Sequence, residues 1–123
     1  DLATYMMMHM NYGQLNGVRI ISEESAKTMQ TPVWIKQTDD YYEDQYGLCL
    51  MEFVDFPDDP HYNTPGNYPV GHTGDAYGLR SIMIWSPADG WGIVAITNGY
   101  VFNPEKDVVE TLANAIYKAY FGQ

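Results

Sequence analysis

The residues carrying the most chemistry in the least space are Gly71-His72-Thr73-Gly74-Asp75-Ala76-Tyr77-Gly78-Leu79-Arg80-Ser81. An imidazole, a threonine hydroxyl, a carboxylate and a guanidinium are interleaved there with glycines. Ile82-Met83-Ile84-Trp85 follows directly, an apolar run suited to a buried strand and too short for a helix. Polar, glycine-rich residues at the end of such a strand make a natural site, because backbone can approach a ligand while the strand holds it rigid. Other ligand-type residues point to less. Asp58, Asp59 and His61 could hold a metal, but nothing in their spacing fixes a geometry, and a solvated acidic loop explains them. HExxH and paired-His spacings are absent from the sequence. Asp39 to Asp44 lacks the glycine and ligand spacing of a calcium loop. Met6-Met7-Met8 and His9 read as helix packing, since His9 has no second ligand at i+4. Neither a metal nor a cofactor is expected.

At 123 residues, 46% hydrophobic and 15% aromatic, the chain can bury the core of a single domain. Six basic against sixteen acidic residues leave a net charge of -10, which repels phosphate backbones and argues against a nucleic-acid partner. No apolar run approaches the length needed to span a bilayer, and no signal peptide is visible. The single Cys49, between Leu48 and Leu50, permits no internal disulfide and reads as a small buried hydrophobe. Helical periodicity begins at once after Asp1, so the chain is expected to be a piece of a longer protein.

The elements follow from spacing. Leu2, Tyr5, Met6, His9 and Met10 form one face of a helix over 2–12, with Asp1 as cap and Gly13 as its left-handed end. Asn16-Gly17 predicts a hairpin. Ser22 caps a second short helix that stops near Gln30, because Thr31 precedes Pro32. Residues 33–44 read as loop, Tyr46 to Phe53 as a strand, and Asp55 to Pro69 as a surface loop. Leu79 to Ser86 and Trp91 to Asn98 are strands joined antiparallel through Pro87-Ala88-Asp89-Gly90. Asn103, with Pro104 after it, is the expected cap of a last helix whose stripe is Val108, Val109, Leu112, Ala113, Ile116, Tyr117 and Tyr120. The expected fold is α+β: a three- to four-stranded, mainly antiparallel sheet with a C-terminal helix packed across it and two short N-terminal helices. Residues 1–32 form the helical segment of this single domain and 33–123 the sheet and last helix. Both strands of the hairpin are apolar on both faces, so one sheet face is expected to lack cover within this chain.

In order and spacing these residues resemble the C-terminal part of the serine β-lactamase-like superfamily, which contains class C β-lactamases, D-alanyl-D-alanine carboxypeptidases, D-aminopeptidases and related esterases. The resemblance runs through Asp1-Leu2-Ala3, Leu15-Asn16-Gly17, Ile21-Ser22-Glu23-Glu24-Ser25 and Met29-Gln30-Thr31-Pro32. It continues through Tyr46-Gly47-Leu48, His72-Thr73-Gly74, Gly78-Leu79-Arg80-Ser81 and Thr97-Asn98-Gly99. It implies a partial β-lactamase/transpeptidase-like fold in which His72-Thr73-Gly74 stands for the Lys-Thr-Gly or His-Thr-Gly motif on the strand bordering the active site. His72 would then help hold a substrate carboxylate and polarise a catalytic hydroxyl, and Thr73 would donate to the same carboxylate. Gly74 would leave room for substrate along the strand, and the Asp75 N–H would be an oxyanion donor. Many relatives carry glycine where Asp75 stands. Arg80 would pair with Asp75 or with a substrate carboxylate.

The family's chemistry also needs Ser-x-x-Lys and Tyr-x-Asn or Ser-x-Asn. Three residues beyond Ser22, Ser25, Ser81 and Ser86 lie Ser25, Thr28, Ile84 and Asp89, and no Tyr or Ser is followed two residues later by Asn. No catalytic residue is therefore expected in this chain. The resemblance implies a C-terminal portion of a penicillin-recognising serine hydrolase, inactive alone, whose parent acts on a β-lactam, a D-amino-acid peptide or an ester in the periplasm or at the cell surface. The alternative is a non-catalytic binding domain that forms a homodimer through its uncovered sheet face.

Overall fold

The structure is a computed structural model that describes residues 1–38, 41–54, 56–98 and 107–122. Helix α1 (Leu2–Met10) buries Met6, Met8 and His9, and ends where Tyr12 and Gly13 turn left-handed at φ 48° and 90°. A β-carbon on Gly13 would overlap the Ile21 carbonyl, so only glycine fits there. Strands β1 (Gln14–Leu15) and β2 (Val18–Arg19) close around Asn16-Gly17, both at positive φ, as the expected two-residue hairpin turn requires. Helix α2 (Glu23–Gln30) is capped by Ser22, which accepts from the Ser25 N–H at 3.0 Å, and stops before Pro32.

The remaining strands form one antiparallel six-stranded sheet in sequence order: β3 (Trp34–Thr38), β4 (Tyr41–Tyr46), β5 (Met51–Glu52), β6 (Val70–Ala76), β7 (Leu79–Trp85) and β8 (Gly92–Thr97). It is wider than the three to four strands expected, for two reasons. Residues 33–44 read as loop, yet β3 and β4 pair from Trp34↔Tyr46 to Thr38↔Tyr41. Trp34, Ile35, Tyr41 and Tyr42 suit strands, and backbone pairing outweighs the charge among them. The expected strand from Tyr46 to Phe53 is instead a hairpin. Gly47 donates to the Leu50 carbonyl at 2.8 Å, and Cys49 sits at the turn with φ 61°. Cys49 is therefore exposed, not buried between its leucines. Asp39 and Asp40 of the acidic run lie outside the described residues.

Helix α3 (Val108–Tyr120) covers one face of the sheet, setting Val109, Ala113 and Tyr117 against Ile82, Ile84, Ile93 and Ala95. Its cap is Asp107, which accepts from the N–H groups of Val109 and Glu110 at 2.9 and 3.3 Å. The expected cap Asn103, with Pro104, lies outside the described residues.

The other face is not bare. Helix α1 lies across β7 and β8, where Met6 packs with Leu50, Val70, Met83 and Trp85. Residues 2–12 supply this cover because the chain reverses through the hairpin and α2. Cover is incomplete: it is tight at Trp85, while Leu79 and Ile96 at the other end of the same face are 42% and 56% exposed. Among the described residues no helix is long and apolar enough to cross a membrane.

The loop before β6 is tied down by its own polar groups. The 3-10 turn Pro60–Tyr62 places Tyr62, whose hydroxyl donates to Asp89 at 2.9 Å and accepts from the Trp91 indole at 2.7 Å. Asp59 accepts the Tyr117 hydroxyl at 2.7 Å, and Asp58 meets Lys118 at 2.9 Å. Asp58, Asp59 and His61 thus fasten this loop to α3 and to the β7–β8 turn. The Tyr62 hydroxyl, with Ser86 and His61, holds the Asp89 carboxyl below the usual carboxylate range. A depressed carboxyl contributes stability that is present above its unfolded pKa and lost as pH falls through the folded value. The Asp89 side chain is 42% exposed, so the contribution is about 1 kcal/mol. Asp89→Asn is therefore expected to lower the melting temperature at pH 7 and to lose less than the wild type between pH 5 and 3. An equal acid-induced drop in both proteins would contradict this assignment.

Candidate functional site

Strand β6 carries His72-Thr73-Gly74-Asp75, and its geometry follows from two neighbours. A Tyr77-Gly78 turn, with φ 54° and 79°, joins it to β7 and sets the register His72↔Met83, Thr73↔Ile82, Gly74↔Ser81 and Asp75↔Arg80. On the other side β5 pairs only with Val70 and Gly71. Among the described residues no strand continues that side from His72 to Ala76.

The direction of the backbone groups on this edge is settled by alternation. The Pro69 carbonyl accepts from Phe53 on the β5 side, and the Ser86 N–H donates to Trp91 on the β8 side. In an antiparallel ladder successive residues point their N–H and C=O groups to opposite neighbours. His72 and Gly74 therefore bond towards β7, while Thr73 and Asp75 present both groups to the open edge.

Side chains alternate the other way, across the faces. His72 and Gly74 lie on the α1 face with Ser81 and Met83, at its less covered end. The His72 Nδ1 lies against the Thr73 carbonyl oxygen, which only accepts, so Nδ1 is the donor of that contact. The Tyr46 ring stands edge-on to His72 at 6.2 Å. A β-carbon on Gly74 would sit 2.5 Å from the Ser81 hydroxyl, so the glycine keeps this stretch of strand low.

Thr73, Asp75 and Arg80 occupy the α3 face. Arg80 meets Asp75 at 3.3 Å and also pairs with Asp107, the α3 cap. The Arg80 and Asp107 side chains are only 15% and 17% exposed. Arg80 thus draws the Asp75 carboxylate towards α3, leaving the Asp75 N–H on the edge.

The five expected residues, His72, Thr73, Gly74, Asp75 and Arg80, are brought together on one hairpin but divided between its faces. Ser81, the last residue of the stretch that begins at Gly71, lies opposite Gly74. Asp107 was not among the expected residues, since its partner Arg80 lies far away in the chain. Among the described residues no group of three or more His, Cys, Asp or Glu is placed to hold a metal.

No protein-family model matches the chain, and searches of the curated proteins and of the solved structures found no match.

Proposed function

We propose that this chain forms the C-terminal, substrate-binding part of a penicillin-recognising serine hydrolase, with β6 as the strand along which an acylating substrate lies. The observation that carries the reading is the side of β6 beside His72-Thr73-Gly74 that no strand among the described residues pairs, with the Asp75 N–H directed into it. A substrate laid there would place its acyl oxygen against the Asp75 N–H, the donor that stabilises a developing oxyanion. The Thr73 hydroxyl would hold a substrate carboxylate. The Nε2 of His72 would orient the reacting hydroxyl of a serine supplied from outside this sequence. Pairing of Asp75 with Arg80 offsets the negative charge that would otherwise repel an anionic substrate. The less covered end of the α1 face, beside His72 and Ser81, is where such a catalytic half would dock. Cell-wall peptides or β-lactams as substrates would place the parent protein in the periplasm or at the cell surface.

Intact mass spectrometry after incubation with a penicillin and with a fluorophosphonate tests the reading. The 123-residue chain is expected to gain no adduct, and a longer form containing a Ser-x-x-Lys serine is expected to gain one equivalent. In that form His72→Ala should slow acylation about 100-fold. A stoichiometric adduct on Ser81 or Ser86 of this chain would overturn the proposal, as would a longer form with no such serine.

A second reading, a non-catalytic domain that self-associates, is favoured by exposed Leu79 and Ile96 at the less covered end of the α1 face. Sedimentation separates the two: a dimer dispersed by Ile96→Lys supports self-association, and a monomer across the micromolar range removes it.

A further inference from the structure

We propose that α1 is an acid-sensitive cover: protonation of His9 lifts it from β7 and β8 at mildly acidic pH, while α3 and the sheet stay folded. The inference concerns the α1 face alone and does not rest on the reading given to the β6 edge.

His9 is only 1% exposed, at the seam between α1 and the sheet. Its ring stacks on Trp85 of β7 at 5.9 Å, and Tyr5 stands edge-on to it at 4.7 Å. Neither ring nitrogen meets a hydrogen-bond partner among the described residues, and neither does the Trp85 indole N–H. The Gln30 amide donates to the His9 carbonyl at 3.0 Å and leaves the ring unserved. Packing alone holds the imidazole, and only its neutral form suits such a place.

The elements around His9 bring no charge that could pair with an imidazolium. On α1 itself Tyr5 offers a phenol ring, and Asp1 stands eight residues back, about 12 Å along the helix. Trp85 faces the ring from β7, and Gly92 and Val94 meet α1 from β8. Gln30 and Met29 of α2 and Leu15 of the hairpin are uncharged as well. Burial accordingly holds the imidazole below its usual pKa. It stays neutral while α1 is seated and takes up a proton once α1 lifts. Seating is therefore firmest above the ordinary imidazole range and weakens as pH falls from about 6.5 towards the folded value.

Little else holds α1 in place. Nine residues are too few for a helix to stand alone, and the Asp1 side chain makes no capping bond. Helix α3, by contrast, has 13 residues, a capped start and the larger apolar cluster beneath it. Lifting α1 would uncover Met83 and Trp85, on the face that carries His72 and Ser81.

The test is hydrogen exchange of the whole chain at about pH 7.5 and about pH 5, read by nuclear magnetic resonance and corrected for intrinsic rates. At the lower pH the amides of Met6 to Met10 should open about tenfold more often, relative to those of Leu112 to Tyr117. In His9→Phe that excess should vanish. A parallel titration of the His9 ring should give a midpoint below about 6.5. Protection of α1 and α3 falling together would overturn the proposal. So would a His9 midpoint at or above the ordinary value, or a His9→Phe variant that keeps the excess. Should His9→Phe fail to fold, the two wild-type measurements decide alone.

Discussion

Replacing Trp85 with alanine is expected to remove about 3–5 kcal/mol of stability, enough to unfold a marginal domain. Trp85 is fully buried on β7, between β6 and β8, in the cluster that includes Met6 of α1, Val70 and Met83. Stacking of the His9 ring against it joins α1 to the sheet. Truncation would open a cavity bounded by sheet on one side and helix on the other, neither of which can collapse far. Its indole N–H has no partner among the described residues, so Trp85→Phe loses no hydrogen bond and should cost less than about 1.5 kcal/mol. Urea unfolding, compared at constant m-value, separates the two variants. A loss below about 1 kcal/mol for Trp85→Ala would mean that α1 does not cover this face in solution.

Removing the Asp107 carboxylate is the second large perturbation, because one group performs two tasks. It caps α3 through Val109 and Glu110, and it holds Arg80 against the end of β7. Loss of a helix cap costs about 0.5–2 kcal/mol, and leaving a mostly buried guanidinium without its partner costs more, softened here by Asp75 at 3.3 Å. Asp107→Ala should therefore lose about 2–4 kcal/mol. Asp107→Asn keeps a capping oxygen and should lose only the ionic part. Equal losses in the two variants would show that the cap contributes nothing. An Asn variant as stable as the wild type would remove the ion pair from the account. Either variant should also draw Arg80 closer to Asp75, visible as a shift in the Asp75 and Thr73 amide resonances on the open edge.

The residue types and the geometry of β6 are legible by different routes. His72-Thr73-Gly74 stands out because of its residue types, and the apolar run Ile82-Met83-Ile84-Trp85 marks the strand behind it. Nothing in those residues reveals that β5 stops short of His72. That depends on the turn at Gly47 to Leu50, which is held in place where Leu48 donates to the Met29 carbonyl at 3.0 Å. The open edge is thus a consequence of α2 packing against a loop nearly twenty residues further along the chain.

The sequence alone determined the features that a single residue's backbone preference controls. These are the reversal at Asn16-Gly17, the start of α2 at Ser22 and its end before Pro32, and the turn at 87–90, where Gly90 adopts φ 73°. Each rests on φ values or on one local hydrogen bond, and so is readable within a few residues. Only the tertiary structure decided how far the sheet extends into residues 34–46, which helix covers its second face, and where Arg80 and Cys49 end up. Those outcomes depend on burial and on charge pairing between distant residues, such as Met6 with Met83 and Arg80 with Asp107. Periodicity shows that a face is apolar; only the path of the chain shows what lies against it.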